Sequence, residues 1–462
     1  MFINFFLTLV VICAFFIPHK YLLAGNYIYQ SAFSARSYAM GGLAPYGSPL
    51  VLESNPALLS GISNTTFELG DTYIQAKYGL KSMFIGEELT SSFVNDTNRY
   101  VPVHLPYFGV GGRLGSSFHW GIALYIPGGG GGTYKEVANL PSGRSISEAV
   151  GHNIATVGDW EIAWKHTNAA FYKVNLTPGI SMNVNKRLSI GIAIDAIYGT
   201  LQSETFHSLD PNANARLPGV GLRIKGDPAY AAGGKLGFLY RITEMVNFSY
   251  SYTTPTSLYT DGGASVNVPN PIYYRKTGVS QKLKFPEAHN IRLAYDSEQL
   301  TVGMEIKYIA WSTSQKRTRI TLEDPWLEVL GFSTGAATSD NAMGDQRVFI
   351  FGLEYQPDWI AYRFGVNLTS NPNAPEGISP ITPVVSRHVS AGLGFKTDTW
   401  NYDIAVEQGL HSKQYGSPGS NEGLAATARN LNDIQTLRFA RYSHATELST
   451  TTISFGVGRK FN

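Results

Sequence analysis

Gly331-Phe332-Ser333-Thr334-Gly335 has the G-x-S-x-G spacing of a nucleophile elbow, where a sharp strand-to-helix turn exposes a serine hydroxyl to a histidine base. That chemistry needs a His and an acid in reach. The ten histidines are scattered, with no H-E-x-x-H and no closely spaced pair, so neither hydrolysis nor a metal site has its parts. Gly128–Gly132 followed by Lys135 offers the glycines of a phosphate loop without its Gly-Lys-Ser/Thr ending. The single cysteine, Cys13, lies in an apolar N-terminal run. A chain shortened by that run would hold no thiol for catalysis, metal binding or disulfides. The residues point to no enzyme, no cofactor and no metal.

The elements that would position any site are unusual in composition. Among 462 residues, Lys and Arg number 36 against 34 for Asp and Glu, a net charge of +2. No basic excess exists to meet a phosphate backbone, which argues against nucleic acid. Charged residues make up 15%, against about 25% in a typical soluble domain, while Gly reaches 48 and aromatics 13%. Polarity therefore comes from Ser, Thr, Asn, Gln and Tyr, as in strands with one apolar and one uncharged polar face. The apolar run Phe5–Ile17, with Leu22-Leu23-Ala24-Gly25 behind it, is shorter than the roughly 20 residues of a spanning helix. It reads as a signal peptide over 1–24, so the protein is exported.

From about residue 65 the chain alternates with period two. Ile360, Tyr362, Phe364, Val366 and Leu368 share one face and Ala361, Arg363, Gly365 and Asn367 the other. Val246–Tyr252 and Leu300–Tyr308 repeat the pattern, and Ile453, Phe455, Val457 and Phe461 end the chain with it. Short turns at 115–117, 185–186, 242–244, 297–299, 357–358 and 398 alternate with long segments at 79–103, 128–166, 206–219, 261–281, 319–345, 372–387 and 414–445. Six short and seven long connections give fourteen strands. Sorting of this kind belongs to an outer-membrane barrel with periplasmic turns and extracellular loops. A secreted β-sandwich has no reason for it. The expected architecture is all-β: a 14-stranded antiparallel transmembrane β-barrel over 65–462, plugged by an N-terminal hatch over 25–64. That last segment, with Gly41-Gly42, Pro45, Pro49 and Asn55-Pro56-Ala57, shows no strand. A barrel this wide is not filled by its own side chains.

Two more segments break the pattern. Ile146, Val150 and Ile154 recur every four residues within 145–157, an amphipathic helix inside a long loop, with Trp160 just beyond. Pro127, Gly128, Gly129 and Gly130 follow the third strand's apolar face, either as the start of a flexible loop or as a break in the strand that leaves a gap in the wall.

Taken in order, these pieces resemble the outer-membrane long-chain fatty acid and hydrocarbon transporter family typified by FadL. Ser34-Ala35-Arg36-Ser37 through Met40-Gly41-Gly42 and Asn55-Pro56-Ala57-Leu58 are similar to its plug. Gly226-Asp227-Pro228-Ala229-Tyr230 is similar to its sixth strand, Phe285-Pro286-Glu287 through Trp311-Ser312 to its eighth and ninth, and Asn371-Pro372-Asn373-Ala374-Pro375 to the segment after its eleventh. The resemblance implies passive uptake of fatty acids or other hydrophobic compounds in the bacterial outer membrane. Ligand would land in a groove carrying Ile146, Val150, Ile154 and Trp160. It would then move to a pocket near Tyr27, Ile28 and Tyr29, above a hatch marked by Asn55, Pro56 and Ala57. It would leave sideways at Pro127–Gly130. Partners would be the ligand, outer-membrane lipid with lipopolysaccharide, and the barrel-assembly machinery during biogenesis. One departure stands out: the fifth strand ends Gln202-Ser203-Glu204-Thr205-Phe206 without the basic residue that fatty-acid carriers use. Lys307 and Arg363, with Arg292 and Lys235, fall on the luminal face as substitutes for holding a carboxylate; otherwise the substrate is an uncharged hydrocarbon. A general porin and an outer-membrane lipid hydrolase are the competing functions.

Overall fold

Alternation decides the two faces of every strand. In Leu300–Ile309, Met304 is 61% exposed and Glu305 2%, so the apolar set faces out and the polar set faces in. Tyr362 and Phe364 likewise face out while Ala361 and Arg363 face in, whereas the outward Phe349 and Phe351 alternate with buried Val348 and Ile350, which cluster with Met40 and Leu43. An outward apolar band over a polar interior is the inverse of a soluble protein and the build of a transmembrane barrel. This structure is a computed structural model. It describes residues 30–83, 96–134, 138–139, 161–210, 220–268, 273–314, 317–322, 335–340, 343–373, 384–416 and 443–461.

The chain forms a closed antiparallel barrel of fourteen strands. They are β1 (Thr65–Met83), β2 (Asp96–Leu114), β3 (Phe118–Tyr134), β4 (Glu161–Asn183) and β5 (Leu188–Asp210). Five strands follow that are each split in two: β6 (Val220–Gly226, Ala229–Arg241), β7 (Val246–Thr253, Thr256–Val268), β8 (Tyr273–Phe285, Ala288–Asp296), β9 (Leu300–Ile309, Arg317–Leu322) and β10 (Gly335–Asp340, Gln346–Tyr355). The last are β11 (Ile360–Thr369), β12 (Arg387–Lys396), β13 (Trp400–Gly416) and β14 (Ser443–Phe461). β1 pairs with β14 from Thr65↔Phe461 to Met83↔Ser443, which closes the sheet and removes its edge. Pro228, Pro255 and Pro286 sit at three of the splits, where a residue without an N–H cannot continue the ladder.

Several strands run further than the alternation predicted: β1 reaches Met83, β2 starts at Asp96 and β5 extends to Asp210. Above the apolar band no lipid faces the strand, so neither face needs to be apolar and the period-two signal fades. The third strand also differs from expectation. It does not stop at Pro127 but continues to Tyr134.

Residues 30–62 lie within the barrel and are almost wholly buried. They form helix α1 (Ala35–Ala39) and two 3-10 helices, Pro49–Glu53 and Pro56–Gly61. All three start in the same way. The Ser34 hydroxyl accepts from Ser37 N at 3.2 Å, Ser48 from Leu50 N at 3.1 Å, and the Asn55 carboxamide from Ala57 N at 2.9 Å. Proline holds the first position of both 3-10 helices, where its missing N–H costs nothing. The Asn-Pro-Ala triplet is thus a helix start. Leu50, Val51, Leu52, Leu58, Leu59 and Ile62 pack as a cluster against Tyr107, Tyr125 and Leu239 of the wall. Residues 1–29, including the proposed signal peptide, are outside the described residues, as are 140–160 with the expected loop helix.

Candidate functional site

The wall is not paired all the way up. β2 and β3 bond from Leu114↔Phe118 to Phe108↔Leu124, and there the ladder ends. Beyond it, β2 continues on β1 alone, up to Leu80↔Asp96, and β3 continues on β4 alone, up to Tyr134↔Thr167. Two causes can be read from residue types. On β3 the register against β4 slips between Tyr125 and Gly128, so one extra residue bends the strand. On β2, Pro102 and Pro106 stand opposite Gln75 and Asp71 while the β1 ladder runs unbroken through both. Their alternate spacing puts both missing N–H groups on one edge, the edge that β3 leaves. At that edge the N-terminal segment substitutes for β2. Gln30 N donates to the Pro127 carbonyl at 3.0 Å, its Nε2 to the Ile126 carbonyl at 2.6 Å, and Tyr38 Oη donates to its Oε1 at 2.6 Å.

Behind the gap, on the long-loop side of the N-terminal segment, lies a cavity of about 110 Å³. Gln30, Phe33 and Glu53 form its floor, with Tyr125, Pro127, Lys173, Lys235 and Lys307 among its walls. Lys235 is paired with Asp195, both almost fully buried. Lys307 lies 3.5 Å from Glu305, and the Lys173 ammonium lies 4.4 Å from the centre of the Phe285 ring. Burial pushes the half-buried Glu53 carboxyl up to about 7; Lys307 and Lys235 pull it down, and Glu305 pushes it up. The cavity therefore carries apolar surface beside several ammonium groups.

On the short-turn side a second cavity of about 270 Å³ is lined by Arg36, Glu68, Glu354, Arg363 and Asp403. Arg36 donates to both Glu354 oxygens at 2.9 and 2.7 Å, and Arg363 bonds Glu354 and Asp403, the latter at 2.6 Å. This network pins the N-terminal segment to β10, β11 and β13.

No protein-family model and no curated protein sequence matches the chain. Solved structures do. A Pseudomonas aeruginosa FadL homologue aligns over 95% of this chain and 100% of its own, with a TM-score of 0.71 at 12% identity. The toluene transporter TbuX of Ralstonia pickettii covers 94% and 99%, with a TM-score of 0.64 at 16% identity. The P. putida toluene transporter TodX covers 94% and 99%, with a TM-score of 0.62 at 15% identity. This is the FadL-type fold. At such identities the likeness rests on backbone path alone.

Of the expected ligand contacts, Lys307 lies in the upper cavity of the FadL-type barrel. Arg363 lies in the lower one, its donors engaged by two carboxylates, so the structure does not bring the two together. Tyr27, Ile28, Tyr29, Ile146, Val150, Ile154 and Trp160 fall outside the described residues. Pro127, Gly128, Gly129 and Gly130 form the slipped limb of β3. Asn55, Pro56 and Ala57 start the second 3-10 helix, and Asn55 Nδ2 also reaches the Phe238 and Tyr250 carbonyls at 3.4 and 3.3 Å. Sequence reading missed Gln30, Lys173 and Asp195, and the two β2 prolines. Of these only Pro106 stood in an expected strand; Pro102 fell in the long segment 79–103 and joins it only in the structure.

Replacing Asn55 by Ala removes a helix cap worth about 1 kcal/mol together with its wall contacts. Asn55→Ala is expected to raise protease cleavage within residues 30–62 several-fold over the parent protein. Asn55→Asp, which keeps the cap and loses only the Nδ2 donors, should fall between the two.

Proposed function

We propose that the protein carries long-chain fatty acids or other hydrophobic compounds passively across the bacterial outer membrane. The route runs from an apolar groove among the long loops to the upper cavity, then sideways through the β2–β3 gap into the outer leaflet. The observation that supports this most is the end of the ladder at Phe108 and Leu124, beside a cavity floored by the N-terminal segment. An apolar solute gains roughly 0.8 kcal/mol for each CH₂ kept out of water. An aqueous pore offers none of that, whereas a groove, a pocket and a lateral exit keep the chain desolvated throughout. A gradient alone then drives uptake, and residues 30–62 act as the hatch that closes the axial path. Ile146, Val150, Ile154 and Trp160 would line the groove, and Tyr27, Ile28 and Tyr29 the approach to the pocket. Outer-membrane lipid and lipopolysaccharide surround the exit, and the barrel-assembly machinery inserts the chain.

The ammonium groups of Lys173, Lys235 and Lys307 favour an amphiphile with an anionic head over toluene, the cargo that the names of TbuX and TodX give. Uptake of radiolabelled oleate and of toluene into cells with and without the gene tests this. Gene-dependent oleate uptake is expected. Uptake of neither, with steady ion conduction by the purified protein, would make it a porin.

Glu53 adds a pH dependence. Its carboxyl holds its proton up to about 7, so below that pH it adds no negative charge to those of Asp195 and Glu305 beside the ammoniums. Above it the ionised Glu53 competes. Affinity for hexadecanesulfonate, which stays anionic throughout, should fall roughly fivefold to tenfold between pH 6 and 8, the effect of one nearby charge in a partly hydrated site. Glu53→Gln should flatten that dependence in titration calorimetry. Equal affinities of the parent protein at both pH values would remove Glu53 from the binding site.

A further inference from the structure

Tyr125 stands where the wall changes. It is the first residue of β3 beyond the end of the β2 ladder and the last before the register with β4 slips. Its side chain points into the barrel, 2% exposed, with the ring edge-on to Phe33 of the N-terminal segment at 5.2 Å. The hydroxyl ends in a charged cluster built from three further strands. Lys235 Nζ on β6 donates to it at 3.0 Å and also to Asp195 on β5. Thr177 on β4 donates to the same carboxylate, and the Tyr125 hydroxyl lies 3.4 Å from it.

Barrel closure does not need this pair, because the β5–β6 ladder runs unbroken through Asp195↔Gly233 and Ala193↔Lys235. A buried ion pair is also poor value as a stabiliser, since stripping water from both charges offsets most of their attraction. Its geometric consequence is specific. A hydroxyl held from β4, β5 and β6 draws the bend of β3 toward the lumen, and a strand drawn inward at Tyr125 cannot lie in line with β2 above it. We infer that the Lys235–Asp195 pair is a positioning device which, through the Tyr125 hydroxyl, holds the upper limb of β3 away from β2 and keeps the wall gap open. Its role in uptake rests on the lateral route proposed above; its role in shaping the wall does not.

Were the ladder to continue past Phe108↔Leu124, Pro106 would come opposite Ile126. The test therefore places Pro106→Cys and Ile126→Cys in full-length protein in outer membranes and follows disulfide yield under mild oxidation. Phe108→Cys with Leu124→Cys, already paired, serves as the control. With Tyr125 intact the upper pair should cross-link poorly and the control pair well. Tyr125→Phe keeps the ring and removes only the hydroxyl; it should raise the upper yield at least severalfold and leave the control unchanged. Lys235→Met with Asp195→Asn, which removes the ion pair without stranding a charge, should do the same. Oleate uptake by Tyr125→Phe without the cysteines, which keeps every ammonium of the cavity, should fall in step. If the upper yield stays low in both variants, the positioning role is overturned, whatever happens to uptake. If the yield rises and uptake is unchanged, the positioning role stands and the lateral route fails.

Discussion

Threonine in place of Pro102, Pro106 and Pro127 together is expected to lower oleate uptake at least about tenfold while the barrel still folds. The three prolines remove ladder donors from the two limbs that face each other across the gap. Restoring them lets β2 and β3 pair above Leu124, each added hydrogen bond contributing about 0.5–1.5 kcal/mol. Two such bonds, about 1–3 kcal/mol together, multiply the closed-to-open ratio by roughly five to over a hundred, since 1.4 kcal/mol is tenfold in an equilibrium. Threonine suits the site because it favours strands and tolerates either face. Hydrogen exchange at the β2 amides between Asp96 and Tyr107 reports the new pairing, and uptake reports its consequence. Protected amides with unchanged uptake would separate the wall from transport.

The second large effect concerns the N-terminal segment. Gly365 on β11 faces inward between Gly352 and Ser390, directly beneath the Met40-Gly41-Gly42 turn. A Cβ built there would overlap Gly41 N and the Met40 carbonyl carbon. The turn cannot move aside, because Gly41 N donates to Ser390 Oγ at 3.0 Å and its carbonyl accepts from Asn367 Nδ2 at 3.0 Å. Both Gly41 and Gly42 have positive φ, at 70° and 99°, which fixes the path of the turn. Gly365→Leu should therefore lift this end of the segment from the wall. In planar bilayers the parent protein should show almost no conductance and Gly365→Leu steady ionic currents of the size a porin gives. Heat-modifiable migration on gels should remain, because the ladder itself is intact. Currents equal to the parent's would mean that residues 30–62 do not close the axial path.

The fold was legible because lipid on one side and lumen on the other leave period-two alternation as the only pattern a strand can carry. Leu300–Tyr308 and Ile360–Leu368 displayed it in the apolar band. The same logic left the far ends of β1, β2 and β5 unread, because beyond lipid no face of a strand has to be apolar. For the site, glycine and proline were readable and charge was not. Pro127–Gly130 marked the bend on β3, although the strand slips there instead of ending. Lys235 and Asp195 are each a lone polar residue on a luminal face, and nothing in the chain announces a partner 40 positions away. Arg36 finds Glu354 across 318 residues, a pairing that only closure of the barrel creates. Arg363 shows the other side of this: its type and face suggested a ligand contact, and the pairs it makes with Glu354 and Asp403 depend on two neighbouring strands.

The central claim is that the β2–β3 gap is the exit, and blocking it reversibly tests this most directly. With Pro106→Cys and Ile126→Cys in place, a cleavable bifunctional thiol reagent bridges the two limbs in intact cells, and oleate uptake is followed before bridging, after bridging and after cleavage of the spacer. The lateral route predicts uptake that is lost on bridging and returns on cleavage. Uptake that continues at the same rate through a fully bridged wall would contradict it and place the exit elsewhere in the barrel.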